Sequence, residues 1–213
     1  MQVSQRQFDR QNTLTISQLE CIRDDRVLFE GLNFELKAGE LLQIEGHNGS
    51  GKTSLLRILC GLSLPESGQI FWQQQDIEED KAVYWENLSY IGHAPGVKGE
   101  LTPIENLRMA KALGSQPTDI SLESALEQVG LYGFEDVPTR TLSAGQQRRV
   151  ALARLLTNDV QLWILDEPFT ALDKKAIQMV ESLLDQHAQR GGMAVITSHH
   201  HVNCEYARIL KLA

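Results

Sequence analysis

Eight consecutive residues restrict this chain more than any other feature: Gly46-His47-Asn48-Gly49-Ser50-Gly51-Lys52-Thr53. They follow the apolar run ELLQIE (40–45) and precede TSLLRILCGL, where Leu55, Leu56, Leu59 and Leu62 share one helical face. The pattern is G-x-x-x-x-G-K-[ST] between a strand and a helix, the context that gives it meaning. Glycines let backbone N–H groups turn inward around a phosphate without side-chain obstruction. The helix N-terminus adds partial positive charge. Lys52 is then placed to reach β- and γ-phosphates, and the Thr53 hydroxyl to ligate Mg2+, so Gly46 through Thr53 and the adjoining Ser54 are the expected nucleotide-binding residues. An ordinary glycine-rich turn is the alternative, and the flanking strand and helix speak against it.

The remaining pattern predicts an α/β fold. Short strand-like runs (LTISQLECI, VLF, LNFEL) open the chain after Leu14, with Arg23-Asp24-Asp25-Arg26 as the first turn. Strands alternating with helices follow: QQRRVALARLL, VQLWIL, DKKAIQMVESLLDQHAQR closed by Gly191-Gly192, then MAVIT. That alternation implies a mostly parallel central sheet, and the N-terminal strands read as a separate antiparallel edge. Broken helical patterns with little strand signal suggest a helical insertion over about 93–158. The expected organisation is one domain over 13–213, preceded by a loose polar extension, 1–12.

Composition excludes several classes. The 213 residues carry 28 acidic and 20 basic side chains, a net charge of -8. Bulk charge of that sign repels nucleic acid and anionic lipid, so no nucleic-acid partner is expected. Cys21, Cys60 and Cys204 are odd in number and widely spaced. They form neither a disulfide framework nor a zinc pattern and read as buried small hydrophobes in a reducing compartment. No apolar run approaches the ~20 residues of a membrane span, and MQVSQRQFDRQN does not read as a signal peptide.

The apolar strand VQLWIL ends in Asp166-Glu167. Carboxylates at the C-terminal end of a strand lie on the rim where α/β sheets bind ligands. Asp166 is placed to hold Mg2+ opposite Thr53, directly or through water. Glu167 is placed to accept a proton from an attacking water as general base. Adjacent acids alone would suit a helix cap; beside the phosphate loop they read as a P-loop NTPase. Leu142-Ser143-Ala144-Gly145-Gln146 then separates the kinds. Ser143 is a natural N-cap, and its hydroxyl with the first free N–H groups makes a second anion site. One ATP does not need two phosphate-gripping helix ends from one chain, so two copies paired head to tail are expected.

LSAGQ, the phosphate loop, WILDEP, Ala171-Leu172-Asp173 and Ser198-His199 together resemble the ATP-binding cassette (ABC) ATPases, from about Leu14 to the C-terminus. The resemblance implies a homodimer that sandwiches nucleotide, with Ser143, Gly145 and Gln146 of one copy contacting the γ-phosphate held by Lys52 of the other. It places Asp173 at the dimer seam, and His199 on the γ-phosphate and on the water beside Glu167. The catalytic residues so implied are Glu167, His199 and Lys52, with ATP and Mg2+ bound. QIEGHNGSGKTSLLRILCGL, YIGHAPGVKGELTPIENL, LSAGQQRRVALARLL and WILDEPFTALD are further similar to the haem-exporter group of the family, which serves bacterial cytochrome c maturation. That likeness implies integral-membrane partner subunits, a peripheral position on the cytoplasmic face of the inner membrane, and export of haem or release of a haem carrier. An ABC ATPase for another cargo, or a soluble non-transport one, is the alternative. A kinase or GTPase has no use for LSAGQ, and no N-K-x-D motif is present.

Two positions depart from the general family pattern. His93 stands where most members place a glutamine contacting Mg2+ and water, and it reads either as that contact or as a solvated loop residue. Arg23 stands where an aromatic usually stacks on adenine; its guanidinium can stack on a base or simply occupy an exposed turn. His199-His200-His201 and the other histidines lack a C-x-x-C-H pattern, so no direct haem binding is expected. Arg148-Arg149 reads as a solvated helix face that could abut a partner.

Overall fold

The computed structural model describes residues 7–212. In chain order the strands are β1 (Thr13–Arg23), β2 (Arg26–Lys37), β3 (Leu41–Glu45), β4 (Ser67–Trp72), β5 (Gln75–Asp76), β6 (Leu88–Ile91), β7 (Leu162–Asp166), β8 (Met193–Thr197) and β9 (Ala207–Lys211). The helices are α1 (Lys52–Leu59), α2 (Lys81–Trp85), α3 (Pro103–Leu113), α4 (Leu122–Gln128), α5 (Ala144–Ala153) and α6 (Lys174–Gln189).

Two sheets result. β2-β1-β4-β5 is antiparallel, and β6-β7-β8-β3-β9 is parallel throughout. The two differ in sequence pattern for a physical reason. β7 and β8 are buried at every residue, as a parallel sheet covered on both faces requires, and so read as unbroken apolar runs. β1 alternates buried and open positions until its register shifts between Ser17 and Glu20. VLF and LNFEL, read separately in the sequence, form the single strand β2; Gly31, at φ 58°, lies between them.

One core lies between the two sheets around Leu14, Leu42, Ile44, Leu55, Leu59 and Ile164. A second lies on the other face of the parallel sheet, under α6. A third, around Leu107, Leu126, Val129 and Val150, is shared by α3, α4 and α5, which all fall between β6 and β7. Burying each such side chain contributes ~1.5–3 kcal/mol, so three apolar centres hold the elements in fixed relation. α3 begins where Thr102 caps it, Pro103 takes the first turn and Glu105 closes the capping box.

The N-terminal segment departs from the expected loose extension over its described part. The Phe8 N–H donates to Arg190 O at 2.9 Å, Gln161 Nε2 to Asp9 O, and Asn12 Nδ2 to Gln161 Oε1. Phe8 also meets the buried His187 ring edge-on and carries the Arg190 guanidinium over its face. Residues 1–6 lie outside the described part. Among the described residues no helix is long and apolar enough to cross a membrane.

Candidate active site

All strands of the parallel sheet point the same way, so their C-terminal ends share one rim. β3 delivers the phosphate loop there, β7 delivers Asp166, β8 delivers Thr197 and Ser198, and β6 delivers Gly92 and His93. A cleft of about 560 Å3 opens on this rim, lined by Asn48, Gly49, Gly51, Lys52, Thr53, Ser54, Asp166, Glu167, His199 and His93, with Leu28 and Thr170. Residues distant in sequence meet because parallel register aligns them: Asp166 pairs with Thr197 across β7 and β8.

The loop has the backbone its glycines permit. Gly49 and Gly51 adopt φ 83° and 94°, in the left-handed region. A Cβ on Gly46 would lie 2.4 Å from Ser50 Oγ, so the loop closes tightly there. Gly51 caps α1 without a side chain, leaving the first helical N–H groups directed at the cleft, and the first turn carries no acidic residue. Lys52 Nζ donates to the carbonyls of Gly46 (2.7 Å) and His47 (3.1 Å), spanning the inside of the loop. The exposed His47 ring turns to Asn48 O at 2.9 Å.

Asp166 is held from three sides. Thr53 Oγ1 donates to Oδ2 (2.9 Å), Thr197 Oγ1 donates to Oδ1 (2.6 Å), and Arg148 Nη2 donates to the main-chain O (2.5 Å). Thr53 and Asp166 thus present two hard oxygen donors in contact, a set suited to Mg2+. Glu167 follows at φ 51°, unusual for a non-glycine residue. The turn is pinned by the Glu167 N–H donating to Thr197 O (3.1 Å) and Thr197 Oγ1 (3.0 Å). Its side chain is 17% exposed, and Oε1 has no hydrogen-bond partner among the described residues. His199 Nε2 faces that oxygen at 3.6 Å. A buried carboxylate oxygen without a donor, beside an imidazole, is a proton acceptor in waiting.

Other expected site residues lie elsewhere. Ser143, Gly145 and Gln146 begin α5 and do not line this chain's own cleft. Ser143 Oγ accepts from the Gln146 N–H (3.2 Å), and Gln146 Oε1 accepts from the Ser143 N–H (2.9 Å), a reciprocal capping box. Gly145 has an intrachain reason to be glycine, since a Cβ there would lie 2.5 Å from Ala171 O. Asp173 caps α6 by accepting from the Ala176 N–H at 2.8 Å. Arg23 is exposed at the end of β1 and is not among the cleft residues. Leu28, on the opposite strand of the same hairpin, is; sequence reading passed over it because nothing about a lone leucine marks it.

Thr197 and Arg148 were also missed in their actual roles. Thr197 ends MAVIT, and only cross-strand register reveals its bond to Asp166. Arg148 is no solvated helix face: it is 3% exposed. Arg149 donates to the carbonyls of Val129 and Gly130, tying α5 to the end of α4. The histidine run diverges, with His200 Nε2 3.5 Å from Glu181 and its ring edge-on to Phe169.

Known proteins resemble this chain in sequence and in fold. The family model described as ABC transporter matches residues 29–170. The cytochrome c biogenesis ATP-binding export protein CcmA of Methylococcus capsulatus is 57% identical over 183 residues, 85% of this chain and 88% of that one. Its counterpart in Nitrosococcus oceani is 51% identical over 203 residues, 95% and 93% of the two chains. A putative ABC transporter ATP-binding protein from Pyrococcus furiosus shares the fold at a TM-score of 0.80 with 23% identity, covering 93% of this chain and 97% of its own. The chain therefore belongs to the ATP-hydrolysing subunits of the ABC transporter family, alongside the cytochrome c biogenesis ATP-binding export proteins.

Proposed function

We propose that this chain binds ATP with Mg2+ in the rim cleft and hydrolyses it to drive a membrane partner in cytochrome c biogenesis. The carrying observation is the convergence of Lys52, the Thr53–Asp166 pair and the Glu167 oxygen, which no described residue hydrogen-bonds, in one cleft. Lys52 and the α1 N-terminus neutralise the phosphates. Thr53 and Asp166 hold the metal, which when bound spreads the charge developing on the transferred phosphoryl group. Glu167 takes the proton of the attacking water, and His199 orients that water and the γ-phosphate. His93, exposed on the same rim, contributes a further polar contact from the loop after β6.

Ser143 is exposed at a capped helix end outside the cleft, which supports a second copy supplying it. Two chains then close head to tail on two nucleotides. ATP favours the closed pair and ADP the open one, because only the triphosphate bridges both halves. The chain is acidic, and its described helices do not span a bilayer, so attachment comes through protein subunits in the membrane. The relatives' names support cytochrome c biogenesis as the setting. The work done there is export of haem or release of a haem carrier at the cytoplasmic face of the inner membrane.

Mixing variants tests the reading. Lys52→Ala and Ser143→Arg chains should each be inactive, while the mixture regains hydrolysis, since a mixed pair contains one intact site. No rescue, with the parent active as a monomer, would refute the shared site. Purification from native membranes should bring down the membrane subunits of cytochrome c maturation; subunits for another cargo would reassign the transport role.

A further inference from the structure

Arg148 is buried, and among the described residues it donates only to main-chain carbonyls. Nη1 reaches Gly92 O (2.8 Å) and His93 O (3.4 Å), Nη2 reaches Asp166 O (2.5 Å), and Nε reaches Pro168 O (3.3 Å). Those carbonyls belong to the loop after β6, the end of β7, and the turn carrying Glu167. The arginine itself belongs to α5, whose N-cap is Ser143. One side chain therefore joins three rim segments to the helix bearing the second anion site.

Stability alone does not explain the choice of residue. Taking a cation out of water is costly, and an apolar side chain of similar volume commonly packs a core as well or better. Burial pulls this guanidinium below its ordinary value, while Asp166, Glu167 and Tyr90 oppose that fall. What arginine alone supplies is a rigid fork of five N–H donors that can engage several acceptors at fixed relative positions. Close backbone contact adds to the same joint, since Gly145 leaves no room for a side chain against Ala171 O.

We propose that Arg148 is a positioning residue that locks His93, the Asp166–Glu167 turn and the Ser143 end of α5 into one body, so that nucleotide seated at one part moves all three. The proposal rests on the ATPase reading above, and Arg148 acts through those groups without touching substrate. Its worth is a coupling, which only a measurement at two separated places can show.

The test compares the parent chain with Arg148→Gln, Arg148→Lys and Glu167→Gln, by steady-state hydrolysis and by amide hydrogen exchange with and without ATP. Glu167→Gln and the parent check the ATPase reading by themselves: a parent without hydrolysis sinks that reading, an unaffected Glu167→Gln removes only the base role of Glu167, and in either case the exchange arm still judges Arg148. In the parent, ATP should slow exchange in the phosphate loop and also in residues 92–96 and 143–149. In Arg148→Gln that protection should stop at the phosphate loop. Its kcat should fall at least about tenfold with KM for ATP within about twofold, and Arg148→Lys should recover part of the loss. Protection still spanning all three segments, or kcat and KM worsening together, would overturn the proposal. Should Arg148→Gln fail to fold, Arg148→Lys decides: unchanged kcat and protection, or failure of that variant to fold as well, makes Arg148 a core stabiliser only.

Discussion

Glu167 Oε1 and His199 Nε2 stand 3.6 Å apart, beyond a hydrogen bond but close enough to share one water. The first is fixed by a left-handed turn bonded to Thr197, and the second follows the same strand end by two residues. β8 therefore positions both halves of the pair.

Glu167→Gln keeps the shape of that side chain and removes its basic oxygen. Turnover should fall by roughly 10²–10⁴ while ATP still binds. Steady-state hydrolysis and equilibrium nucleotide binding on the same preparation check this, and retained turnover would remove Glu167 from the base role. If the pair acts on one water, as proposed, His199→Ala should also impair kcat with binding intact.

Stability should fall in acid through His187. This ring is wholly buried, stacked on Trp163 at 3.7 Å, with Nε2 facing the carbonyls of Gln161 and Met193. Burial, with Arg190 nearby, lowers its pKa from 6.5 to about 3. Above pH 6.5 both folded and unfolded chains hold it neutral, and its contribution is fully present. Between pH 6.5 and 3 the unfolded chain takes up a proton that the folded one refuses, costing up to about 1.4 kcal/mol per pH unit. Urea midpoints measured across this window should fall more steeply for the parent than for His187→Gln; equal slopes would point to other groups.

Gly145→Ala places a methyl where only 2.5 Å separates it from Ala171 O. Ala171 already sits at φ 63° and has little freedom to yield. The substitution should destabilise by about 1–3 kcal/mol and displace the turn after Glu167. A lower melting temperature with reduced kcat is expected; unchanged melting would mean the turn moves freely.

Leu28 lines the cleft and Arg23 does not, so on the proposed function Leu28 is expected to supply the apolar contact with nucleotide. Leu28→Ala should weaken ATP affinity roughly fivefold, the equivalent of about 1 kcal/mol of lost contact. Arg23→Ala should leave ATP and GTP affinities alike. Competition against a fluorescent nucleotide distinguishes them, and the reverse ranking would restore base stacking by the arginine.

Much of the site could be read from the linear chain because its parts are local. The phosphate loop, the strand ending in Asp166-Glu167 and the Ser143–Gln146 cap each need only neighbouring residues to form. Hydrophobic periodicity and cap chemistry report such neighbourhoods directly. Arg148-Arg149 shows where that stops: two adjacent cations on a helix look solvated until the loops that cover them are in place. Arg23 and Leu28 are a smaller case, since a hairpin's twist and register decide which of two residues on facing strands overlooks the rim.

By itself, the order of residues determined the alternation of strands and helices, the loop's chemistry and the acids beside it, because these depend on spacings of a few positions. Only the tertiary structure decided that Thr197 grips Asp166 and that Arg148 spans three segments. Those contacts join residues far apart in the chain, and they exist because parallel strands in register bring their C-terminal ends to one rim.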